Sequence, residues 1–190
     1  MVYKYRSLAQ DGFYRCMDII VNNRLYSSQY LDLNDPMECF YLSSQGIVSE
    51  EMQHKLQDGI NAIRIVSLSK RDDSALMWSH YADGHKGIAI GVEIDEKKFD
   101  IRPVTYDGHL AVTENNVNIE DTCKNILCRK LSPWSYEEEV RILTNVIRVP
   151  VKIREIVYGV KINQSKRSLL RKIVTAFDPS IEIKRPHDLK

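Results

Sequence analysis

Three charged residues set two apart, Glu137, Glu139 and Arg141, place the tightest constraint on what this chain can fold into. They belong to Trp134-Ser135-Tyr136-Glu137-Glu138-Glu139-Val140-Arg141-Ile142, and along a strand the side chains alternate between faces with a period of two. Glu137, Glu139 and Arg141 then share one face, and Glu138, Val140 and Ile142 share the other. An acidic row hidden from water is costly unless it is paired or bound, so either Arg141 neutralises it or the face opens onto a cleft. A solvated strand edge with a built-in salt bridge is the plain alternative.

The rest of the chain supplies the setting. With 190 residues, 43% hydrophobic and 28% charged, residues 1–190 are expected to form a single domain with a sizeable core. Lys plus Arg (27) nearly balance Asp plus Glu (26), and a formal charge of +1 argues against affinity built on blanketing phosphates, although a local basic patch is compatible with it. No apolar run is long enough for a bilayer and no charged-then-apolar leader opens the sequence, so a cytoplasmic protein without a membrane partner is expected. Cys16, Cys39, Cys123 and Cys128 contain no C-x-x-C pair and read as buried free thiols. His54, His80, His85, His109 and His187 are scattered, so no structural metal is expected.

Periodicity gives the elements. Val2 to Arg6 alternates as a first strand, with tyrosines on one face and Lys4 and Arg6 on the other. Phe13, Met17, Ile20 and Val21 line a helix that frays by Asn22-Asn23, before a short strand at Arg24-Leu25-Tyr26. Asn34-Asp35-Pro36 is a turn, Ser49 caps a helix stopping near Gly59, and Ile63 to Ser69 alternates as a strand. A short aromatic helix covers Asp73 to Gly84, and Ile88 to Ile94 is a central strand in which Gly91 marks a bulge or a close approach. A strand at Arg102 to Tyr106 leads to a helix with Ile119, Cys123, Ile126, Leu127 and Leu131 on one face. A strand from Ile153 to Val160, a Ser165-capped helix through Leu169, Leu170, Ile173 and Phe177, and an edge strand at Ser180 to Lys184 complete the chain. Strands and helices interleave irregularly, so the expected class is α+β, with a mostly antiparallel or split β-sheet flanked by helices.

Four stretches together resemble a family of bacterial and phage-associated proteins catalogued as a domain of unknown function. These are Tyr3 to Arg6, Asn34-Asp35-Pro36 with Glu38, Met77 to Tyr81 with His85-Lys86-Gly87, and Trp134 to Arg141. A looser likeness bears on chemistry. Arg6 on the first strand, Ser67 and Ser69 on a middle strand, and Glu137 and Glu139 on a later one follow an order similar to that of the arginine-serine-glutamate ADP-ribosyltransferases. The likeness implies NAD as substrate, with Arg6 gripping a phosphate and Ser67 and Ser69 bracing the nicotinamide ribose; Tyr81 is a further candidate for the cofactor-binding set. It implies that Glu139 and Glu137 are catalytic, because breaking a nicotinamide glycosidic bond needs a carboxylate beside the developing positive charge. The sequence departs from that pattern in placing Leu68 between the serines and Arg141 after the glutamates, where it could pair with Glu139 and silence it.

Plainer roles stand beside these. Trp78 and Trp134 read as core anchors, His80 as a hydrogen-bonded histidine on a short helix in preference to an acid or base, and Glu38 as a helix cap in preference to a residue reaching back into a cleft. The expected function is an NAD-dependent ADP-ribosyltransferase-like or NAD glycohydrolase-like protein, a toxin or anti-phage effector, with an acceptor macromolecule as further partner. The alternatives are a nuclease holding a divalent cation on Glu38, Glu137 and Glu139, and a non-enzymatic interaction module. Arg141 in the same row counts against the cation, which it would repel.

Overall fold

The computed structural model describes residues 1–35, 38, 41–43, 48–113 and 118–185. In chain order its elements are β1 (Val2–Arg6), α1 (Asp11–Asn22), β2 (Arg24–Tyr26), β3 (Tyr41–Ser43), α2 (Glu50–Ala62), β4 (Arg64–Ser69), α3 (Ala75–Tyr81), β5 (Ile88–Glu93), β6 (Asp100–Pro103), β7 (Leu110–Val112), α4 (Ile119–Ile126), β8 (Glu139–Thr144), β9 (Arg148–Pro150), β10 (Lys152–Tyr158), α5 (Gln164–Phe177) and β11 (Glu182–Lys184). Short 3₁₀ turns cover Tyr30–Asp32 and Ser132–Glu137. The class is α+β, as expected. Among the described residues seven strands form the main sheet in the order β11-β10-β5-β1-β4-β8-β6, antiparallel throughout except where β11 runs parallel to β10. Two small pairs, β2 with β9 and β3 with β7, lie apart from it.

The apolar run of β5 suits its place inside the sheet, between β10 and β1, where Ile88, Ala89, Ile90 and Val92 are all fully buried. Val66, Leu68, Ile88, Ile90, Ile142 and Ile156 make one sheet face, on which Cys16, Ile19 and Ile20 of α1 and Leu170 and Val174 of α5 pack. A second core joins Leu56 and Ile60 of α2 to Cys123 and Ile126 of α4, over Ile65 and Leu143. A third gathers Tyr3, Tyr5 and Val157 beneath Met77 and Trp78 of α3. Trp78 is the expected core anchor: it is fully buried, lies edge-on to Tyr5 at 5.1 Å, and its indole N–H donates to the Asp72 carbonyl at 2.7 Å.

Several expectations need correction. Val21, Leu169 and Phe177 are exposed, because α1 and α5 are rotated so that Cys16, Ile19 and Ile20, and Leu170 and Val174, make their inner faces. Asn163, not Ser165, caps α5, its side-chain oxygen accepting from the amides of Ser165 and Lys166. Helix α2 runs past Gly59 to Ala62, α4 ends at Ile126 well short of Leu131, and β6 ends at Pro103. Strands β3, β7 and β9 have too few residues to show a period and were not expected. Gly91 marks a close approach: a Cβ there would lie 2.6 Å from Cγ of Glu155, whose carboxylate accepts the Tyr3 hydroxyl at 3.0 Å. Cys16, Cys123 and Cys128 are buried free thiols, while Cys39, His187 and Pro36 of the expected turn lie outside the described residues.

One irregularity positions the site. Strand β1 pairs with β5 along its whole length, from Val2 opposite Val92 to Arg6 opposite Ile88. Toward β4, among the described residues, a single opposed pair joins the strands, Tyr3 with Ser69. The sheet is therefore split between β1 and β4.

Candidate active site

The parting of β1 from β4 opens a cavity of about 290 Å³. Arg6, Ser67, Ser69, Tyr81, Glu137 and Glu139, the six residues that the sequence nominates, all line it. They arrive by different routes. Ser67 stands opposite Arg141 and Ser69 opposite Glu139, so this face of β4 and β8 carries the serines, Glu139 and Arg141 together. Lys4 and Arg6 lie opposite Ile90 and Ile88 and so belong to the other sheet face. In a continuous sheet they would be shut off from Glu139; the split gives both faces access to one space.

The charged row is built differently from the expected strand. Glu139 and Arg141 do share one face of β8, but Glu137 ends the 3₁₀ turn Ser132–Glu137 and Glu138 sits in the left-handed region at a φ of 42°. The backbone reversal sends Glu138 out to Arg71 at 3.3 Å while leaving Glu137 buried beside Glu139. Ser69 fixes the reversal, its hydroxyl donating to the Glu137 carbonyl at 2.7 Å and accepting from the Arg71 amide at 3.1 Å.

The acidic row is neutralised by two cations, one of them unforeseen. Lys130, which follows α4, is buried with its Nζ 2.6 Å from Glu137 Oε2, 2.8 Å from Glu38 Oε1 and 3.0 Å from Glu139 Oε2. The Trp134 ring covers this ammonium at 5.2 Å, so the second tryptophan is a half-buried cation–π partner and not a core anchor. Arg141 is completely buried: its Nε donates to Glu139 Oε1 at 2.8 Å, its Nη1 to the Leu127 carbonyl at 2.5 Å, and its Nη2 bonds Glu38. Glu38 therefore reaches back into the cleft, against the expectation of a helix cap. His80, by contrast, is exposed and stacks on Tyr136 at 6.1 Å.

Of the three lining glutamates, Glu139 and Glu137 differ in electrostatics. Burial opposes charge on Glu139, but Arg141 and then Lys130 outweigh it and, with a hydrogen bond from Ser67, hold its carboxyl well below the usual range. Burial dominates at Glu137 and raises its pKa, even though Lys130 and the Tyr81 hydroxyl, which donates at 2.5 Å, favour the anion. Glu139 is held as the anion, whereas burial shifts Glu137 towards its protonated form. The lining also includes Lys4, Arg6 and Arg15, the first two from the other face of the sheet. Arg6 Nε is buried and has no hydrogen-bond partner among the described residues, and burial lowers its pKa. A buried guanidinium N–H without a partner is a vacant donor for an anion.

Among the described residues no three His, Cys, Asp or Glu side chains are disposed to hold a metal ion. The three glutamates converge, but on the ammonium of Lys130, which takes the position a shared cation would need. No helix among the described residues is long and apolar enough to cross a membrane.

No curated protein matches the chain, and no solved structure does. Residues 77–142 match a family described as protein of unknown function (DUF2971). The match runs from Met77 on α3 to Ile142 on β8 and so includes Tyr81, Lys130, Glu137, Glu139 and Arg141, but not Arg6 or the two serines. Over this stretch, which contributes Tyr81, Lys130, Glu137 and Glu139 to the cavity, the chain is similar to a domain-of-unknown-function family.

Proposed function

We propose that the cavity binds NAD and that the protein breaks its nicotinamide glycosidic bond, passing the ADP-ribosyl group to water or to an acceptor macromolecule. The observation that carries this reading is the gathering of Arg6, Ser67, Ser69, Tyr81, Glu137 and Glu139 around one cavity whose lining carries cations as well as carboxylates. A dinucleotide has the matching polarity: a diphosphate needs donors such as the vacant Arg6 Nε, and the ribose that loses nicotinamide needs negative charge. As the C1′–N bond breaks, its electron pair leaves with nicotinamide and the ribose carbon becomes cationic. Glu139, held ionised by Arg141 and Lys130, stabilises that charge, and Glu137, which accepts the Tyr81 hydroxyl, orients the ribose or the incoming nucleophile. Such an activity suits a toxin or an anti-phage effector.

A nuclease reading loses support because Lys130 sits among the carboxylates it would need. The test is to incubate the protein with NAD, alone and with protein, RNA or DNA acceptors, while following nicotinamide release and calorimetric binding. Release of nicotinamide supports the proposal; absence of NAD binding under all of these conditions would leave an interaction module as the better reading.

A further inference from the structure

Lys4 has no role in the chemistry above, and its surroundings are unusual for a lysine. It lines the cavity on the same face of β1 as Arg6. Among the described residues no carboxylate lies within ion-pair distance of its ammonium, whose hydrogen bond goes to the Ser67 carbonyl at 2.8 Å across the split in the sheet. The charged groups that bear on it are Arg6 from its own strand and Glu139 and Arg141 from β8, two cations against one anion. Half-burial and this surplus of neighbouring positive charge both favour the neutral amine, and its pKa is lowered to about 7. A neutral lysine amine in a cavity is a nucleophile toward carbonyl carbon.

We propose that Lys4 captures phosphorylated aldehydes in this cavity as an imine, with Arg6 holding the phosphate. The aldehyde and the phosphate are specified by two different groups: the amine suits an electrophile, and the Arg6 Nε, unpartnered among the described residues, suits an anion. In the step itself the Nζ lone pair attacks the carbonyl carbon, a C–N bond forms, and both amine hydrogens leave with the carbonyl oxygen as water. The product is a C=N bond, and no oxidant or reductant is consumed. The inference does not depend on NAD cleavage and can fail or succeed separately from it.

Pyridoxal 5′-phosphate is a suitable probe, followed by borohydride reduction and peptide mapping by mass spectrometry. At pH 7 the label should fall on Lys4 about tenfold or more faster than on the other lysines, because a lysine side chain in water is almost wholly protonated at that pH. Pyridoxal without its phosphate should lose most of that preference, as should Arg6→Gln with the phosphorylated probe. Lys4→Arg keeps a cation that can bond the Ser67 carbonyl but cannot form the imine, and should remove the fast label. If that variant does not fold, the wild-type pH profile decides: Lys4 labelling should rise through pH 7 while other lysines gain reactivity only at much higher pH. Labelling spread evenly over the lysines, or a Lys4 rate that rises only in step with the others, would overturn the proposal.

Discussion

Tyr3 on β1 stands opposite Ser69 on β4, and beyond this pair the two strands separate. The pair is the hinge point of the split sheet: Tyr3 is anchored to Glu155 on β10, and Ser69 to the Glu137 carbonyl at the end of the 3₁₀ turn. The cavity thus exists because the ladder stops where Ser69 turns its hydroxyl to a different segment of chain.

Ser69→Ala should strand the buried Glu137 carbonyl and release the reversal at Glu138. A lost hydrogen bond to a buried group costs about 1–3 kcal/mol. Urea unfolding should show a lower midpoint with unchanged slope, and an unchanged midpoint would mean that the reversal holds without Ser69.

Removing either cation leaves buried carboxylates facing each other, so Lys130→Met and Arg141→Ala should each destabilise the fold by about 3–5 kcal/mol. Their pH dependence should differ from wild type. In the native protein Glu139 has a depressed pKa, so its contribution is present above the ordinary value of 4.5 and is lost as pH falls through the folded value. In Lys130→Met the carboxylates should fold with raised pKa, a contribution fully present below the unfolded value and lost as pH rises through the folded one. The variant should therefore recover thermal stability relative to wild type as pH is lowered from about 7 towards 5. Melts that coincide with wild type at both pH values would show that these charges are not coupled to folding.

Glu139→Gln and Arg6→Ala should separate kinetically in an NAD-cleavage assay. A carboxylate acting mainly on the ribosyl cation contributes in the transition state, so Glu139→Gln should lower turnover by about a hundredfold or more and change NAD binding far less. Arg6 faces a phosphate that is charged throughout, so Arg6→Ala should weaken binding more than turnover. Thermal melts run alongside distinguish a lost interaction from a lost fold.

Lys4 should leave a signature in stability. Its pKa is lowered from 10.5 to about 7 on folding, so between those values the unfolded chain binds a proton that the folded one does not. Stability then rises with pH across that window. The difference in melting temperature between wild type and Lys4→Met should move in favour of wild type from pH 7 to 10. A difference that stays flat would show that the folded amine titrates like an exposed one.

Local chemistry was enough to fix much of this protein. The alternation in Val2 to Arg6 gives tyrosines on one face and cations on the other, the apolar run at Ile88 to Val92 gives a central strand, and the spacing of Glu139 and Arg141 makes them same-face neighbours. These follow from the period of a strand, which the sequence carries by itself. Glu137 shows where that logic stops, since a left-handed Glu138 breaks the strand and tertiary contacts through Ser69 and Lys130 return the carboxylate to the cluster. Lys130 is ordinary in its local sequence, and only packing shows that it meets three glutamates, one of them Glu38 far away along the chain. The split between β1 and β4 is likewise a property of long-range pairing. Each strand on its own is regular, and whether two regular strands stay in register along their length depends on what the neighbouring elements pull them towards.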